Sequence, residues 1–584
     1  MEEYARLCCL AVEDVYGSFL AEIFQHLAQQ GRLSVNQVAQ KCRLPLRQVK
    51  AGMAALIQLR LVYQHTTPDG SSTYQANTHS AYNLIRTGQL VELAARRYGQ
   101  AAAKVMEHLA ILGYATPDEL EARVSGDGHF ANPQEPAAST NGHLQNGATP
   151  DVDQKSRERF RTALRCLIDD RFITSVRDAH FQSPFDARQE VERHFRHLGV
   201  MPSAKGKKVQ SEIDHRVDVE LESRMDGTIS SNSVLQFLEQ RERSQENAVY
   251  SQVCGPKSDG CYWLTLQSVP MLCIDHSNLV MSTRNERLAI AVEKRFGREA
   301  AQVLRAACLQ VDVDSGPVKR RDNTSAMIHR LNTPKISNDI SEEDKLVGQN
   351  GDFGGHNWRS EGRLVNGHRD QLVNGAMHNR QIESQLAVLA EGPFNFLSQD
   401  ASGNQWFLHR TRLNHFLRDE ELMRLMGESL DGPALRIVRM LMDKGKLDEK
   451  TLQEIGLLGA KDLRQCLAQL QMLGFLELQE VPREPQRQPN RTIFLWFYDP
   501  ERVRKLFLGR LYKTMARLFQ RLRLERERLA STLSKVERTD VQGSEAEMLA
   551  PAELQVLLQW RRKEAWFMAE INRLDESVMI LRDL

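Results

Sequence analysis

The chain has 584 residues, 41% hydrophobic content and 77 Lys plus Arg against 76 Asp plus Glu, net +1, with a mean hydropathy of −0.47; this suits about four packed domains separated by solvated segments. A balance so even excludes polyanion binding by global charge and requires local basic faces instead. No apolar run approaches the ~18 residues of a membrane span, the start Met-Glu-Glu-Tyr-Ala-Arg lacks a basic-then-apolar leader, and nine scattered cysteines suit reduced thiols, so a soluble, intracellular protein without a membrane partner is expected.

In chain order, Tyr16, Phe19, Leu20, Ile23, Phe24 and Leu27 recur at helical spacing, and Gly31 ends that helix. Ser34 can cap a second helix carrying Val35, Val38 and Ala39, and Pro45 opens a third with Leu46, Val49, Met53, Leu56 and Ile57. Val62–His65 and Ser72–Gln75 flank the turn Thr-Pro-Asp-Gly. Three helices and a hairpin predict a winged helix over residues 1–82.

Residues 83–184 predict a second winged helix, with amphipathic helices at 84–98 and 100–112, another opening at Thr116-Pro117, and a recognition-type helix at 156–170. Its Gly/Asn/Pro/Ser-rich stretch 125–155 reads as a disordered insertion, and 185–261 as a polar, broken extension rather than a core. A third winged helix is expected over 262–410, from Tyr262-Trp263-Leu264 through helices 284–296, 298–309 and 380–390 to the strand Gln405–Leu408, interrupted by a disordered insertion at 314–378. The pattern does not fix which of its helices takes the recognition position. The fourth, 411–499, is compact: Leu435, Ile437, Val438, Leu441 and Met442 on one helix, then Lys450–Leu457 and Ala460–Leu473, then wing strands Phe475–Val481 and Arg491–Tyr498. In 500–584, Leu511, Met515, Leu518 and Leu522, and later Phe567, Ile571, Leu574 and Val578, repeat at 3,4 spacing, which predicts an antiparallel coiled-coil hairpin.

One phrase recurs: a helix closing on Leu-x-x-Leu before a short apolar strand. It is seen at Leu56–Leu59 before Leu61-Val62-Tyr63, at Leu164–Leu167 before Phe172-Ile173, at Leu470–Leu473 before Phe475–Leu478, and more loosely at Leu386–Leu389 before Phe394-Asn395-Phe396. The fold class expected is mainly α with small β wings: tandem, extended winged helices and a C-terminal helical hairpin.

This arrangement resembles the third-largest subunit of RNA polymerase III, the winged-helix member of that enzyme's initiation heterotrimer, a family related to the alpha subunit of general transcription factor E. The opening from Val15-Tyr16-Gly17 to Leu61-Val62 and the stretch from Asp431-Gly-Pro-Ala-Leu-Arg to Phe494-Leu-Trp-Phe-Tyr carry the resemblance, which spans the chain apart from the polar insertions. It implies a nuclear, non-catalytic polymerase subunit without a cofactor. Such a subunit binds two smaller heterotrimer subunits, docks on the clamp of the largest polymerase subunit, and helps open promoter DNA at genes for small untranslated RNAs such as tRNA and 5S rRNA.

In a winged helix the recognition helix offers its exposed face to a groove while wings and loops touch phosphates. That makes Arg43, Arg47, Lys50, Arg60, Lys461 and Arg464 the DNA-contact candidates, with contacts mostly to phosphates. The stretch 501–530 carries ten Lys/Arg and three Glu, and with its apolar seam turned inward its charge should point outward. Arg510, Lys513, Arg517 and Arg521 are accordingly the candidates for docking on polymerase or DNA. Lys205, Lys207 and Lys208, and Lys319-Arg320-Arg321, could serve nuclear import or phosphate contact, although three adjacent charges are common by chance. Trp406, Trp496 and Phe497 read as wing-core residues.

Enzyme signals are weak. Asp352-Phe353-Gly354 and His368-Arg369-Asp370 match kinase tripeptides in reversed order without a glycine-rich loop, and neither a P-loop nor a G-x-S-x-G is present. Cys254, Cys261, Cys273 and His276 lack the paired spacing of a zinc knuckle, so no metal is expected. Two other assemblies share parts of this pattern. General transcription factor E alpha adds a zinc ribbon after one winged helix, and proteasome-lid or cullin scaffolds place one winged helix after a long helical-repeat array.

Overall fold

The computed structural model describes residues 2–66, 70–126, 150–198, 207–254, 269–315, 328–333, 335–336, 371–391, 395–400, 405–482, 492–538, 541 and 545–584. Most of both expected insertions, Tyr262–Leu264 and Phe394 lie outside these residues.

The first module runs α1 (Glu2–Tyr16), α2 (Ser18–Gln30), α3 (Val35–Cys42), α4 (Leu46–Gln58), β1 (Val62–Thr66) and β2 (Ser72–Ala76). The helix expected from Tyr16 onward is split at Gly17 (φ 85), which leaves Phe19 40% exposed. Gly31 (φ 79) ends α2, as its position suggested. Ser34 caps α3 through a reciprocal pair: its Oγ accepts from Gln37 N at 3.4 Å and its N donates to Gln37 Oε1 at 2.9 Å. Leu33 bridges Tyr74, adding a third short strand to the antiparallel β1–β2 pair.

After α5 (Thr78–Asn83) and α6 (Thr87–Tyr98), the same plan returns as α7 (Gln100–Leu112), β3 (Tyr114–Ala115), α8 (Pro117–Gly126), α9 (Pro150–Asp169) and β4 (Ile173–Ser175). The chain then passes through α10 (Pro184–His197), α11 (Lys207–Met225) and α12 (Ser231–Cys254) and comes back as β5 (Leu272–Ile274). Strand β5 lies between β3 and β4, with Cys273 opposite both Tyr114 and Thr174. The polar stretch expected to be an extension without a core thus fills the wing position of the second module. It is helical over much of its length and buries Val191, Val217, Val234 and Leu238 to 1% exposure or less. In α11 and α12 the apolar residues are spread around the helix rather than gathered on one face, so their periodicity is faint in sequence.

The third module is α13 (Ser277–Phe296), α14 (Arg298–Ser315), β6 (Ile328–Leu331), α15 (Gln371–Glu391), β7 (Leu397–Gln399) and β8 (Trp406–His409), with β8 central. Because α15 leads into β7, it takes the recognition position that the pattern left open. The fourth is α16 (Arg410–Gly427), α17 (Gly432–Lys444), α18 (Glu449–Gly456), α19 (Ala460–Met472), β9 (Leu476–Pro482) and β10 (Thr492–Tyr498), with Leu447 bridging Trp496 as Leu33 bridges Tyr74. The chain closes with α20 (Pro500–Arg528), α21 (Ala530–Val536), α22 (Glu545–Met548) and α23 (Pro551–Val578).

The recurring Leu-x-x-Leu phrase has a backbone cause. Among the described residues, one residue after each recognition-position helix adopts positive φ: Arg60 (57), Arg171 (59), Asn395 (45) and Gly474 (80). In three of them the next residue donates back across the turn, Leu61 N to Leu56 O, Phe172 N to Leu167 O and Phe475 N to Leu470 O, at 2.8–2.9 Å. This is a Schellman-type stop, and an apolar residue on each side seals it. The equivalent leucines are therefore Leu56, Leu167 and Leu470, which shifts the second copy by three residues from the alignment read in sequence.

Two units divide the chain: Met1–Leu279 with Tyr512–Arg573, and Val280–Leu511 with Leu574–Leu584. In the first, the rings of Tyr4, Tyr82 and Tyr512 cluster with centroids 5.0–6.1 Å apart, Tyr4 stacked on Tyr82 and Tyr512 edge-on to Tyr82. A separate cluster joins Leu522 to Leu557, Trp560 and Phe567. In the second, Leu304, Leu386, Phe396, Leu408 and Ile580 share one core. Of the expected seam, Leu511, Met515, Leu522, Phe567, Ile571 and Val578 are buried, and Leu518 and Leu574 are half-buried. Met515 also meets the Tyr82 hydroxyl, at 4.0 Å.

Candidate nucleic-acid interface

The first module presents the barest basic surface. Between Glu22 and Asp69 the sequence has six Lys/Arg and no acidic residue. Helix α4 packs closely on α2 because residue 52 is glycine: a Cβ there would stand 2.6 Å from Ile23 Cδ1. Val49, Met53 and Leu56 face inward, each 2% exposed or less. The other side of α4 then necessarily faces out, and Arg43, Arg47 and Lys50 are exposed. Lys41, which sequence reasoning missed, is exposed in the last turn of α3. No ion pair ties any of these four among the described residues, and residues 23–68 supply no acid. The signal that would have found Lys41 was this acid-free interval rather than the recognition-helix register.

Two other cations of that interval are used within the fold. Arg32 Nη2 grips both oxygens of Asp186 at 2.6 Å. Arg60 does not join the exposed face expected of it. It sits at positive φ, is half-buried, has its Nε enclosed without a partner, and approaches the buried Cys273 thiol and His180. The left-handed turn that ends α4 swings this side chain away from the helix surface toward the second module's sheet.

In the fourth module Lys461 and Arg464 are exposed on α19, but Arg464 Nε donates to Glu449 Oε1 at 2.5 Å. Glu449, Glu454 and Asp462 balance Lys450, Lys461 and Arg464 there. Leu457 and Met472 stand 86% and 89% exposed on the same module. Its Trp496 and Phe497 are half-buried in the wing, whereas Trp406 of the third module belongs to that module's core.

Arg510, Lys513, Arg517 and Arg521 are exposed on α20, so the charge of this stretch does point outward, but much of it is matched by carboxylates. Arg502 pairs with Glu477, Arg504 with Glu501, Lys513 with Glu3, Arg521 and Arg528 with Glu525, Arg523 with Glu13, and Arg526 with Asp14 and Glu564. Burial works to lower the Arg526 pKa, yet Glu564 and Asp14 raise it overall. Arg510 donates from Nη2 to Leu473 O at 3.0 Å and lies over the rings of Phe475 and Phe507, at 5.3 and 5.7 Å. It braces the end of α19. Of the four docking candidates only Arg517 is exposed with no partner among the described residues. Carboxylates more than 450 residues away in sequence, on α1, supply much of the pairing, which no local pattern could show.

The remaining motifs contribute no reaction centre among the described residues. Residues 352–354, 368–370, 205, 319–321 and Cys261 lie outside them, and the side chains of Lys207, Lys208 and Cys254 are not described. Cys273 is 2% exposed in β5, and burial with Arg86, His79 and Arg60 nearby depresses His276 to about 3, which keeps it neutral. No described helix is long and apolar enough to cross a membrane.

Comparison with known proteins agrees with this architecture. Residues 6–66 match the RNA polymerase III subunit RPC82 helix-turn-helix domain, 162–417 match RNA polymerase III subunit RPC82, and 422–498 match the POLR3C C-terminal winged-helix domain. The chain is 33% identical to DNA-directed RNA polymerase III subunit rpc3 of Emericella nidulans, over 99% of both chains. It is 33% identical to the Aspergillus oryzae rpc3, over 100% of this chain and 99% of that one. With DNA-directed RNA polymerase III subunit RPC-3 of Coccidioides immitis it shares 32% identity over the whole of both.

Proposed function

Because the chain belongs to the RPC82 (rpc3) family of RNA polymerase III subunits, we propose that it is a nuclear, non-catalytic subunit of that polymerase, acting in initiation by holding promoter DNA near the catalytic cleft. The observation that carries this reading is the acid-free interval of the first module, with Lys41, Arg43, Arg47 and Lys50 exposed and untied among the described residues. Unpaired cations on and beside a recognition-position helix attract phosphate without reading sequence. The work is mechanical and electrostatic: the module positions the duplex and favours its opened strands, while another subunit makes the phosphodiester bonds.

The fourth module takes a protein partner rather than DNA. Helices α18 and α19 together are charge-balanced, and Leu457 and Met472 offer apolar surface. The two small subunits of the initiation heterotrimer and the clamp of the largest subunit are the partners this reading assigns. Helices α20 and α23 act as an antiparallel coiled-coil hairpin. The Leu522, Trp560 and Phe567 cluster and the Arg526–Glu564 pair at 2.7 Å support that pairing.

Affinity purification tests the proposal. The tagged chain should recover the large polymerase III subunits with two small partners, and recovery of none of them rejects it. Crosslinking within the purified assembly should then map DNA to residues 41–50 ahead of α19.

A further inference from the structure

Three side chains with different metal-ligating atoms meet in the first module, apart from the basic face. Glu22 and His26 stand four residues apart on α2 and so lie one above the other on the same side of the helix. Cys42 is the last residue of α3. A carboxylate oxygen, an imidazole nitrogen and the Cys42 Sγ all fall within 4.8 Å of one another. Cys42 is 6% exposed, His26 half-buried and Glu22 exposed. The Nδ1 atom of His26 is shut off from solvent and has no hydrogen-bond partner, an arrangement that leaves a ring nitrogen unsatisfied unless something else occupies its lone pair or accepts its proton.

One sulfur, one nitrogen and one oxygen donor suit a borderline-soft cation; magnesium and calcium take oxygen alone. Around tetrahedral zinc, with Zn–S about 2.3 Å and Zn–N and Zn–O about 2.0–2.1 Å, donor atoms stand about 3.4–3.6 Å apart, so binding would draw together three donors that already lie within 4.8 Å of one another. We propose that Glu22, His26 and Cys42 bind one zinc ion, with water as the fourth ligand on the exposed Glu22 side. The ion fastens α2 to the end of α3, one residue before the left-handed Arg43, and so fixes the turn from which α4 and its cations project. The sequence hides this site because the spacings between the three donors, three and fifteen residues, match no knuckle pattern.

Cobalt(II) titration of the full-length chain tests the site, since a thiolate ligand gives a charge-transfer band that zinc displaces. The band should saturate at one cobalt per chain, vanish in Cys42→Ser, persist in Cys466→Ser, and need about tenfold or more cobalt in His26→Ala. Absence of the band, or its survival in Cys42→Ser, overturns the proposal and leaves a packed thiol only. If Cys42→Ser does not fold, His26→Gln decides by the same titration: unchanged cobalt affinity overturns the site, and weakened affinity supports it.

Discussion

Arg32 of the first module and Asp186 of the second module's wing form a bifurcated ion pair, with Nη2 2.6 Å from each carboxylate oxygen and the acid only 6% exposed. Burial works to raise the Asp186 pKa, but the Ser183 hydroxyl and Arg32 outweigh it and the net shift is downward. An acid with a depressed folded pKa contributes stability above its unfolded pKa and loses it as pH falls through the folded value. We therefore expect the pair's contribution to fade below about pH 4, from the ordinary aspartate value downward. Asp186→Asn should cost about 1–3 kcal/mol at neutral pH and flatten the acid limb of the stability curve. Urea midpoints measured across pH check both, and an unchanged acid limb counts against the pair.

Asp312 on α14 stands between two buried guanidinium groups, with Arg284 Nη2 at 2.7 Å and Arg410 Nη2 at 2.6 Å. Burial and the second arginine lower Arg410 to about 10, though the carboxylate opposes them. Asp312→Asn removes the only negative charge of this triad and should destabilise the third module by about 3–5 kcal/mol. Differential scanning calorimetry of the full chain would read this as loss or early melting of one transition.

Leu457 holds φ 51 while its side chain is 86% exposed, so it bears left-handed strain with little burial in return. Leu457→Gly should stabilise the fourth module by up to about 1 kcal/mol. A lower melting temperature would show that the side chain is held by contacts that outweigh the strain.

Arg43, Arg47 and Lys50 should act additively and without regard to DNA sequence. Removing each should lower the slope of log affinity against log salt by about 0.9 if it contacts a phosphate. Arg60→Ala and Arg510→Ala should instead lower stability by about 1–2 kcal/mol and leave that slope alone, because one is folded toward Cys273 and the other clamps the Leu473 carbonyl. Filter binding over a salt series, run beside thermal melts, separates the two classes.

Sequence alone determined what depends on neighbours along the chain. The Gly31 stop, the Ser34 cap and the Leu56–Leu61 and Leu470–Phe475 closures are local, because capping and left-handed turns engage residues within five positions. For the same reason the winged-helix class, the compact fourth module and the tail helices were legible from periodicity. Tertiary structure decided everything that rests on distance. Strand β5 returns nearly a hundred residues after β4 to complete the second sheet, as backbone pairing is indifferent to chain separation. Acids on α1 pair with three cations of α20, so part of an apparent docking surface is already matched within the chain. Whether a cation is free or spent is settled by which carboxylate folding brings to it, and that is a property of packing rather than of spacing.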